Sequence, residues 1–487
     1  MDPILLLIPV MLPVAGGLGL LMRPVKDVGK RKATIMALTV LTSVVSVALL
    51  FLVKRESRTL YSFTEGFSIA LKADGFSILF AGMLAVLWPL VILYAFSYME
   101  HEHHQRQFFS CFVMTYGITL GIAFAANMLT MYVFFEMLTI ITVPLVIHKE
   151  DEDSLFAGRR YLRYCMSGAA LGLAAVVTVT LAGGGEFVYG GGVNSRFDPE
   201  LMRVMFLAGF FGFGVKAAVF PVHAWLPTAF VAPTPVTALL HAVAVVNTGM
   251  FCLGRLVWYA FGTEILLGSW AQQICVATAG VSLLYGAAMA LKQRHLKRRL
   301  AYSTMSNLSY MLFGVALMTP AGFTGAMAHM LFHSVMKMTL FLCAGAVMHM
   351  TKREYIYEME GIGRKMPVTF ACFTISALSL SGIPPLCGFV SKWQLLQAGI
   401  QAGTRAAWFG TGALLTAAFL CAIYTLTICI RAFFPRKTAD PGKTENIREA
   451  DWRMLVPVGF FTVLNLVFGI WQAPVLNALN GIATGLY

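Results

Sequence analysis

Apolar residues run along this chain in long blocks broken by short charged interruptions, and they do not settle into polar/apolar alternation. A helix needs about 20 apolar residues to cross the hydrocarbon core of a bilayer. Blocks of that order fall near residues 3–22, 33–53, 75–97, 107–126, 127–147, 161–183, 203–224, 234–258, 269–291, 300–318, 322–349, 367–390, 406–430 and 454–472. The pattern predicts an all-α membrane protein of about fourteen transmembrane helices. Connections are short except at 184–202 and 431–453; the glycine run at 183–192 reads as a loop, and no strand signal competes. The first block, Ile4 to Leu21, has the length of a signal peptide. It lacks a basic leading region and a small-x-small cleavage site, so it reads as a retained first helix.

Composition agrees. Of 487 residues, 58% are hydrophobic and 12% charged, and the mean hydropathy is +0.74. A soluble core could not hide that much apolar surface, and no soluble domain or low-complexity tail stands out. The nine cysteines show no CxxC spacing, so no iron–sulfur cluster is expected. No glycine-rich nucleotide loop is present, so redox chemistry would belong to partner chains.

The net charge of +13 is a topology signal. One set of alternate connections carries 25 Lys and Arg, among them Arg23 to Lys32, Arg159 to Arg163, Lys292 to Arg299 and Arg431 to Arg453; the other set carries 7 (Lys54, Arg55, Arg58, Lys72, Arg196, Arg203 and Arg405). The richer set faces the cytoplasm by the positive-inside rule, which puts both termini outside. Nucleic-acid binding is not expected. The acidic run Glu150 to Asp153 reads as a solvated turn, and the His101 to His104 run as a solvated loop.

Four cations are left inside apolar segments, Lys216, Arg255, Lys337 and Lys392, together with one central acid, Glu136. A charge at the bilayer centre costs about 2.5–3.5 kcal/mol on the insertion scale, so these residues are candidates for an ion path. Glu136 reads as a proton or ion ligand, or as a structural carboxylate paired to a neighbouring helix. Lys216 precedes Pro221, which lacks the N–H of a continuous helix, so the helix should break just after the lysine. Such breaks persist only inside protein or beside a wet cavity, where a lysine can exchange protons; a snorkelling lysine is the alternative. Pro384 and Pro385 disrupt a second helix, and Lys392 follows. Broken helices at corresponding places in two halves point to a transport site. Between them His329, His333 and Lys337 fall at i, i+4 and i+8 on one helix face, like a proton relay. Backbone-bonded core histidines are the alternative. A metal lacks a third ligand, so neither metal nor cofactor is expected. His241 adds a stepping point. Arg255 snorkels or pairs structurally, and His223 gates or caps the first break.

The segments FGVKAAVFPVHAWLPTAFVAPTPVTALLHAVAVV, LKRRLAYSTMSNLSYM, HMLFHSVMKMTLFLCAG and LSGIPPLCGFVSKW resemble the antiporter-like subunits of respiratory complex I and of the Mrp cation/proton antiporters. Related subunits occur in membrane-bound hydrogenases and formate hydrogenlyases. The resemblance spans about residues 70–435. It implies two inverted five-helix repeats and divides the chain into N-terminal helices (1–106), a first repeat (107–258), a second repeat (269–430), and a cytoplasmic loop with the last helix (431–487). By resemblance Glu136 is the interfacial carboxylate, Lys216 and Lys392 are the lysines of the two broken helices, and Lys337 is the central lysine. The lysine at 392 is more like the L-type and Mrp-type members than the M-type, although the long lateral helix of the L-type is missing. Family members often carry a lysine where this chain has Asn247, which cannot hold a proton.

The resemblance implies an ion-translocating subunit of a redox-driven pump, moving protons or sodium. Such a pump would be an NADH:quinone oxidoreductase or a membrane-bound hydrogenase or formate hydrogenlyase. A subunit of a Mrp-type Na+/H+ antiporter is the alternative, and a non-conducting membrane anchor is the third reading. Implied partners are other membrane subunits, redox subunits on separate chains and the lipid of the inner membrane. The expected path runs from a switchable Glu136–Lys216 pair through water, His241, His329 and His333 to Lys337 and Lys392.

Overall fold

The structure is a computed structural model that describes all residues except 24, 65, 194–196, 436–446 and 487. The loop cations Arg196, Arg436, Lys437 and Lys443 lie outside the described residues. The helices are α1 (Leu7–Met22), α2 (Val28–Leu52), α3 (Gly75–Tyr98), α4 (Gln105–Ala123), α5 (Met128–Val146), α6 (Glu152–Leu181), α7 (Pro199–Gly214), α8 (Thr234–Ala242) and α9 (Val246–Arg255). The second part contains α10 (Thr263–Leu266), α11 (Trp270–Lys292), α12 (Leu296–Ala316), α13 (Pro320–Thr351), α14 (Pro367–Ser381), α15 (Cys387–Ala402), α16 (Arg405–Phe433), α17 (Trp452–Ile470) and α18 (Gln472–Ala483).

Among the described residues, 10 helical spans are long and apolar enough to cross a membrane, so the chain is a multi-pass membrane protein. Helices α4 and α12 are long enough but open on polar turns, Gln105-Arg106-Gln107 and Lys297-Arg298-Arg299. Burial separates two layers. The span of α8 and α9 is 100% buried and that of α13 94% buried, whereas α1 is 33% and α2 39% buried. Polar groups on α8, α9 and α13 are therefore shielded from lipid by protein. The first apolar run is a packed helix: a Cβ at Gly117 of α4 would stand 2.3 Å from the Val10 carbonyl, so α1 approaches α4 through that glycine.

Several sequence expectations change. Residues expected to form no strand pair as an antiparallel hairpin, β1 (Arg58–Thr64) and β2 (Phe67–Leu71). Aromatic and β-branched residues there favour extended backbone, and Tyr61 packs edge-on against Phe63 at 4.9 Å. The acidic run Glu150 to Asp153 is exposed, as a solvated turn would be, but its second half opens α6, which Asp151 caps by accepting from Ser154 N at 2.8 Å. Lys297 and Arg299, expected in a loop, are buried on the first turn of α12. Lys297 Nζ donates to the Ala232 carbonyl at 2.9 Å, and the Arg299 guanidinium to the carbonyls of Gln293 at 2.7 Å and Tyr424 at 3.1 Å. A helix longer than the hydrocarbon core carries its cations into the headgroup layer, which hydropathy alone reads as loop. The expected 234–258 helix is interrupted at 243–245, and α18 follows α17 almost without a gap.

Both ends of the chain lie on one face. The N-terminal amine donates to the Leu52 carbonyl at 3.0 Å, and Tyr189 Oη to the Ala483 carbonyl at 2.5 Å, while Lys72 Nζ reaches the Phe187 carbonyl at 3.3 Å. That face holds the hairpin and the glycine-rich loop. On the opposite face, Glu100 meets Lys32 at 3.2 Å and Arg453 at 3.4 Å, tying α2 to the turn after α3 and to the start of α17.

Candidate functional site

Asn127 starts α5 by accepting from Thr130 N at 2.8 Å, and Glu136 follows in mid-helix. Val133, Met137 and Ile140 on the same side of α5 are exposed, and Glu136 is half-buried between them; its Oε1 is shielded yet has no hydrogen-bond partner. Helix α7 ends at Gly214, before the lysine, because Ala218 takes a left-handed φ of 52° and Pro221 offers no N–H. Lys216 thus sits inside the break, where the sequence expectation had it on the last helical turn. The break is held by side chains: Trp225 Nε1 donates to the Val215 carbonyl at 2.7 Å, and Ser282 Oγ accepts from Phe220 N at 3.0 Å. These bonds satisfy backbone groups that lipid could not.

The Lys216 ammonium donates to the Phe135 carbonyl and lies 3.5 Å from the centroid of the Phe135 ring. Phe135 neighbours Glu136, so carboxylate and ammonium feel each other's charge without direct contact. The expected pair is therefore mediated by Phe135. His223 stacks on Phe220 at 5.5 Å with Nδ1 buried and unpartnered.

Helix α9 joins this cluster to the centre. A Cβ at Gly249 would stand 2.4 Å from Ala217 N, so only glycine lets α9 lie against the Lys216 backbone. One turn away, the interruption at 243–245 frees the Ala242 carbonyl. Asn247 Nδ2 donates to it at 2.7 Å and Ser334 Oγ at 3.2 Å, while Asn247 Nδ2 also reaches Ser334 Oγ at 2.7 Å. Asn247 is thus a cap for a broken helix, tied to α13, and its Oδ1 remains unpartnered.

The second cluster is fully enclosed. His241, His329, His333 and Lys337 are each 0% exposed and Lys392 is 6% exposed, so nothing here reaches lipid. Lys337 Nζ donates to Ser303 Oγ at 2.7 Å and to the Leu300 carbonyl at 3.0 Å, and Tyr424 Oη bonds Ser303 Oγ at 2.9 Å. Helix α14 stops at Gly382, whose φ is 87°, and the carbonyl of Leu380 near its end accepts from Lys392 Nζ at 2.6 Å. Lys392 lies 4.8 Å from the Tyr310 ring centroid; Tyr310 lies 5.2 Å from the His329 ring, and His329 6.0 Å from the His333 ring. Ser391 Oγ is 2.8 Å from His329 Nδ1. His241 packs on Phe341 at 5.1 Å, and Lys337 approaches the same ring at 5.9 Å. Both nitrogens of His241 and His333, and Nε2 of His329, have no partner.

The structure therefore brings His241, His329, His333, Lys337 and Lys392 together and places Glu136 and Lys216 in a separate group, with α9 between. Sequence reading missed Asp74 and the hydroxyls of Ser303, Ser391, Tyr310 and Tyr424. Arg255 bonds Asp74 through both carboxylate oxygens, at 2.5 and 2.8 Å, and is enclosed by Phe76, Phe187, Phe251 and Tyr259. Asp74 also caps α3 by accepting from Ser77 N at 2.9 Å, a signal present in the sequence Asp-Gly-Phe-Ser ahead of an apolar run.

Comparison with known proteins gives concordant results. The family described as NADH:quinone oxidoreductase/Mrp antiporter, transmembrane, matches residues 125–420, and the N-terminus of complex I chain 5 matches residues 63–109. The chain is 28% identical over 417 residues to NADH-quinone oxidoreductase subunit N of Desulforudis audaxviator, covering 81% of this chain and 80% of that one. It is 26% identical to the Na(+)/H(+) antiporter D subunit of Bacillus subtilis, covering 84% and 83%. It superposes with a TM-score of 0.85, at 21% identity and over 98% of its length and 97% of the other chain's, on a chain of the membrane-bound sulfane sulfur reductase, an archaeal respiratory membrane complex. Of the longer antiporter A subunits and NADH-quinone oxidoreductase L subunits that it also matches, it spans between 41% and 58% of the length.

Proposed function

The chain belongs to the NADH:quinone oxidoreductase/Mrp antiporter family, and from that premise we propose that it is the proton-carrying membrane subunit of a redox-driven complex. The observation that carries the reading is the buried line itself. Three lysines and three histidines stand inside protein at membrane depth; among the described residues no carboxylate contacts them directly, and five of the six imidazole nitrogens are unpartnered. Open imidazole nitrogens donate and accept protons in turn, directly or through water. A sodium ion needs a cage of oxygens and would meet lysine and histidine nitrogens instead. That contrast favours protons along the inner line.

In the proposed sequence Glu136 and Lys216 share a field through Phe135. A neighbouring subunit that moves or neutralises Glu136 removes the countercharge from the Lys216 ammonium, which then releases its proton inward. The proton crosses beside α9 to His241 or His333, and Lys337 and Lys392 hold it next to Ser303 and the Leu380 carbonyl before exit. Asn247 cannot carry it; as a fixed amide with an open Oδ1, it can orient a water at the crossing. The basic-rich face is the cytoplasmic one, both termini lie outside, and the membrane is the inner one. The redox groups reside on separate chains.

A second reading is favoured by the likeness to the Na(+)/H(+) antiporter of Bacillus subtilis, and in it the same line returns protons against a cation held elsewhere. The two readings separate in one assay: acidification by sealed vesicles holding the intact complex, driven by its electron donor, with and without sodium. Donor-driven pumping that does not need sodium supports the redox reading. Proton movement that appears only with a sodium gradient overturns it in favour of the exchanger.

A further inference from the structure

Beside the first break a lateral groove of about 470 Å³ opens on the outside of the bundle, lined by none of the residues of the ion line. One wall is a single face of α6, where Arg160, Arg163, Ser167 and Leu171 recur at helical spacing; the other is Val215 and Val222, which flank the broken segment carrying Lys216. The walls are apolar and Leu171 is exposed, so the trough is open to the lipid phase. Its charged lining residues are both cations. Among the described residues neither forms an ion pair: Arg160 lies 6.0 Å over the Phe156 ring, and Arg163 Nε reaches only the Arg159 carbonyl at 3.4 Å. The depth also matters. The apolar stretch of α6 runs from Met166 to Leu181, so the two arginines stand just before it, where phosphates of a leaflet lie, and the trough continues below them.

We propose that this groove is a binding site for one anionic phospholipid, its phosphate on Arg160 and Arg163 and an acyl chain along Ser167, Leu171 and Val222. Guanidinium groups match phosphate oxygens in a bidentate geometry. A zwitterionic headgroup brings its own cation and supplies the two arginines with no net countercharge, whereas an anionic one supplies a net negative charge. The chain of such a lipid rests on the half-buried Val222, just past Pro221, so the occupant braces the break from the bilayer side. This inference holds whichever ion the subunit moves.

The test uses the full-length chain in its complex, exchanged into nanodiscs of phosphatidylglycerol or of phosphatidylcholine, stripped with detergent, with retained lipid counted by native mass spectrometry. The wild type should keep one phosphatidylglycerol and release phosphatidylcholine. The double variant Arg160→Gln/Arg163→Gln should hold phosphatidylglycerol about tenfold more weakly. Leu171→Trp should expel the lipid with both arginines intact. Arg159→Gln, outside the groove, should behave as wild type, which separates a built site from general surface charge. Equal retention by the double variant, equal retention of phosphatidylcholine, or loss of lipid from Arg159→Gln would overturn the proposal. So would a photocrosslinker at position 171 that labels a partner polypeptide in the intact complex.

Discussion

Two regions of this molecule handle buried charge in opposite ways. At Arg255 and Asp74 opposite charges meet directly: two short bonds join the side chains, Ser77 Oγ adds a third at 2.9 Å, and four aromatic rings close the shell, with Arg255 Nε alone left without a partner among the described residues. Along the line from Lys216 to Lys392 the ammonium groups rest on neutral carbonyls and hydroxyls, and imidazole nitrogens are left open. A carboxylate and a guanidinium in direct contact hold each other charged and serve as a staple. An unsaturated line costs stability and retains the freedom to exchange protons. Within that line there is a further contrast. Glu136 is half-buried on the outer face of α5 with Lys216 enclosed behind Phe135, whereas His241 on α8 and His329, His333 and Lys337 on α13 are sealed.

The largest expected effect breaks the staple. Arg255→Met leaves Asp74 buried without its partner and should destabilise the protein by about 3–5 kcal/mol, seen as loss of the assembled subunit from membranes. Adding Asp74→Asn should restore part of the yield. If single and double variants accumulate like the wild type, the pair is not structural. Next, Lys216→Met should leave assembly intact and cut proton translocation by about a hundredfold, the order associated with losing a positioned proton carrier. His329→Gln sharpens the contrast between the two ends of the line. Its neighbours His333, Tyr310 and Ser391 offer detours, so pumping should fall by only about tenfold on the same scale. A loss as deep as that of Lys216→Met would mean that the second cluster has no redundancy. The smallest effect is at Asn247. Asn247→Ala frees one of two bonds to the Ala242 carbonyl and should cost about 1 kcal/mol in thermal unfolding with a modest drop in pumping. Asn247→Leu, which in addition fills the space a bridging water would take, should slow pumping further at equal stability.

Much of the fold was legible because lipid imposes a length. Apolar runs marked α3, α5, α11, α13 and α16 to within a few residues, and the unmatched charges within them singled out Glu136, Lys216, Lys337 and Lys392. What hydropathy missed has physical causes. The β1–β2 hairpin lies outside the hydrocarbon, where helix length carries no information. The interruption at 243–245 contains no proline; it exists because Asn247 and Ser334 cap Ala242 from the side, a tertiary arrangement that no local pattern encodes. Asp74 resembles an ordinary helix cap, and only its distant partner Arg255 shows why it is buried. Ser303, Ser391 and Tyr424 are unremarkable residue types that gain a role by facing a lysine or a histidine. Glu136 and Lys216 are expected as a switchable pair, but that Phe135 stands between them depends on a break that starts at Gly214, ahead of the lysine, which no local pattern encodes.

The central claim is that the unsaturated line moves the ion and the coupling enters at Glu136. Its most direct test is the ratio of protons moved to electrons transferred, measured in sealed vesicles of the intact complex carrying Glu136→Gln. Electron transfer that persists with a reduced proton ratio is the expected result. An unchanged ratio at normal assembly would contradict the claim.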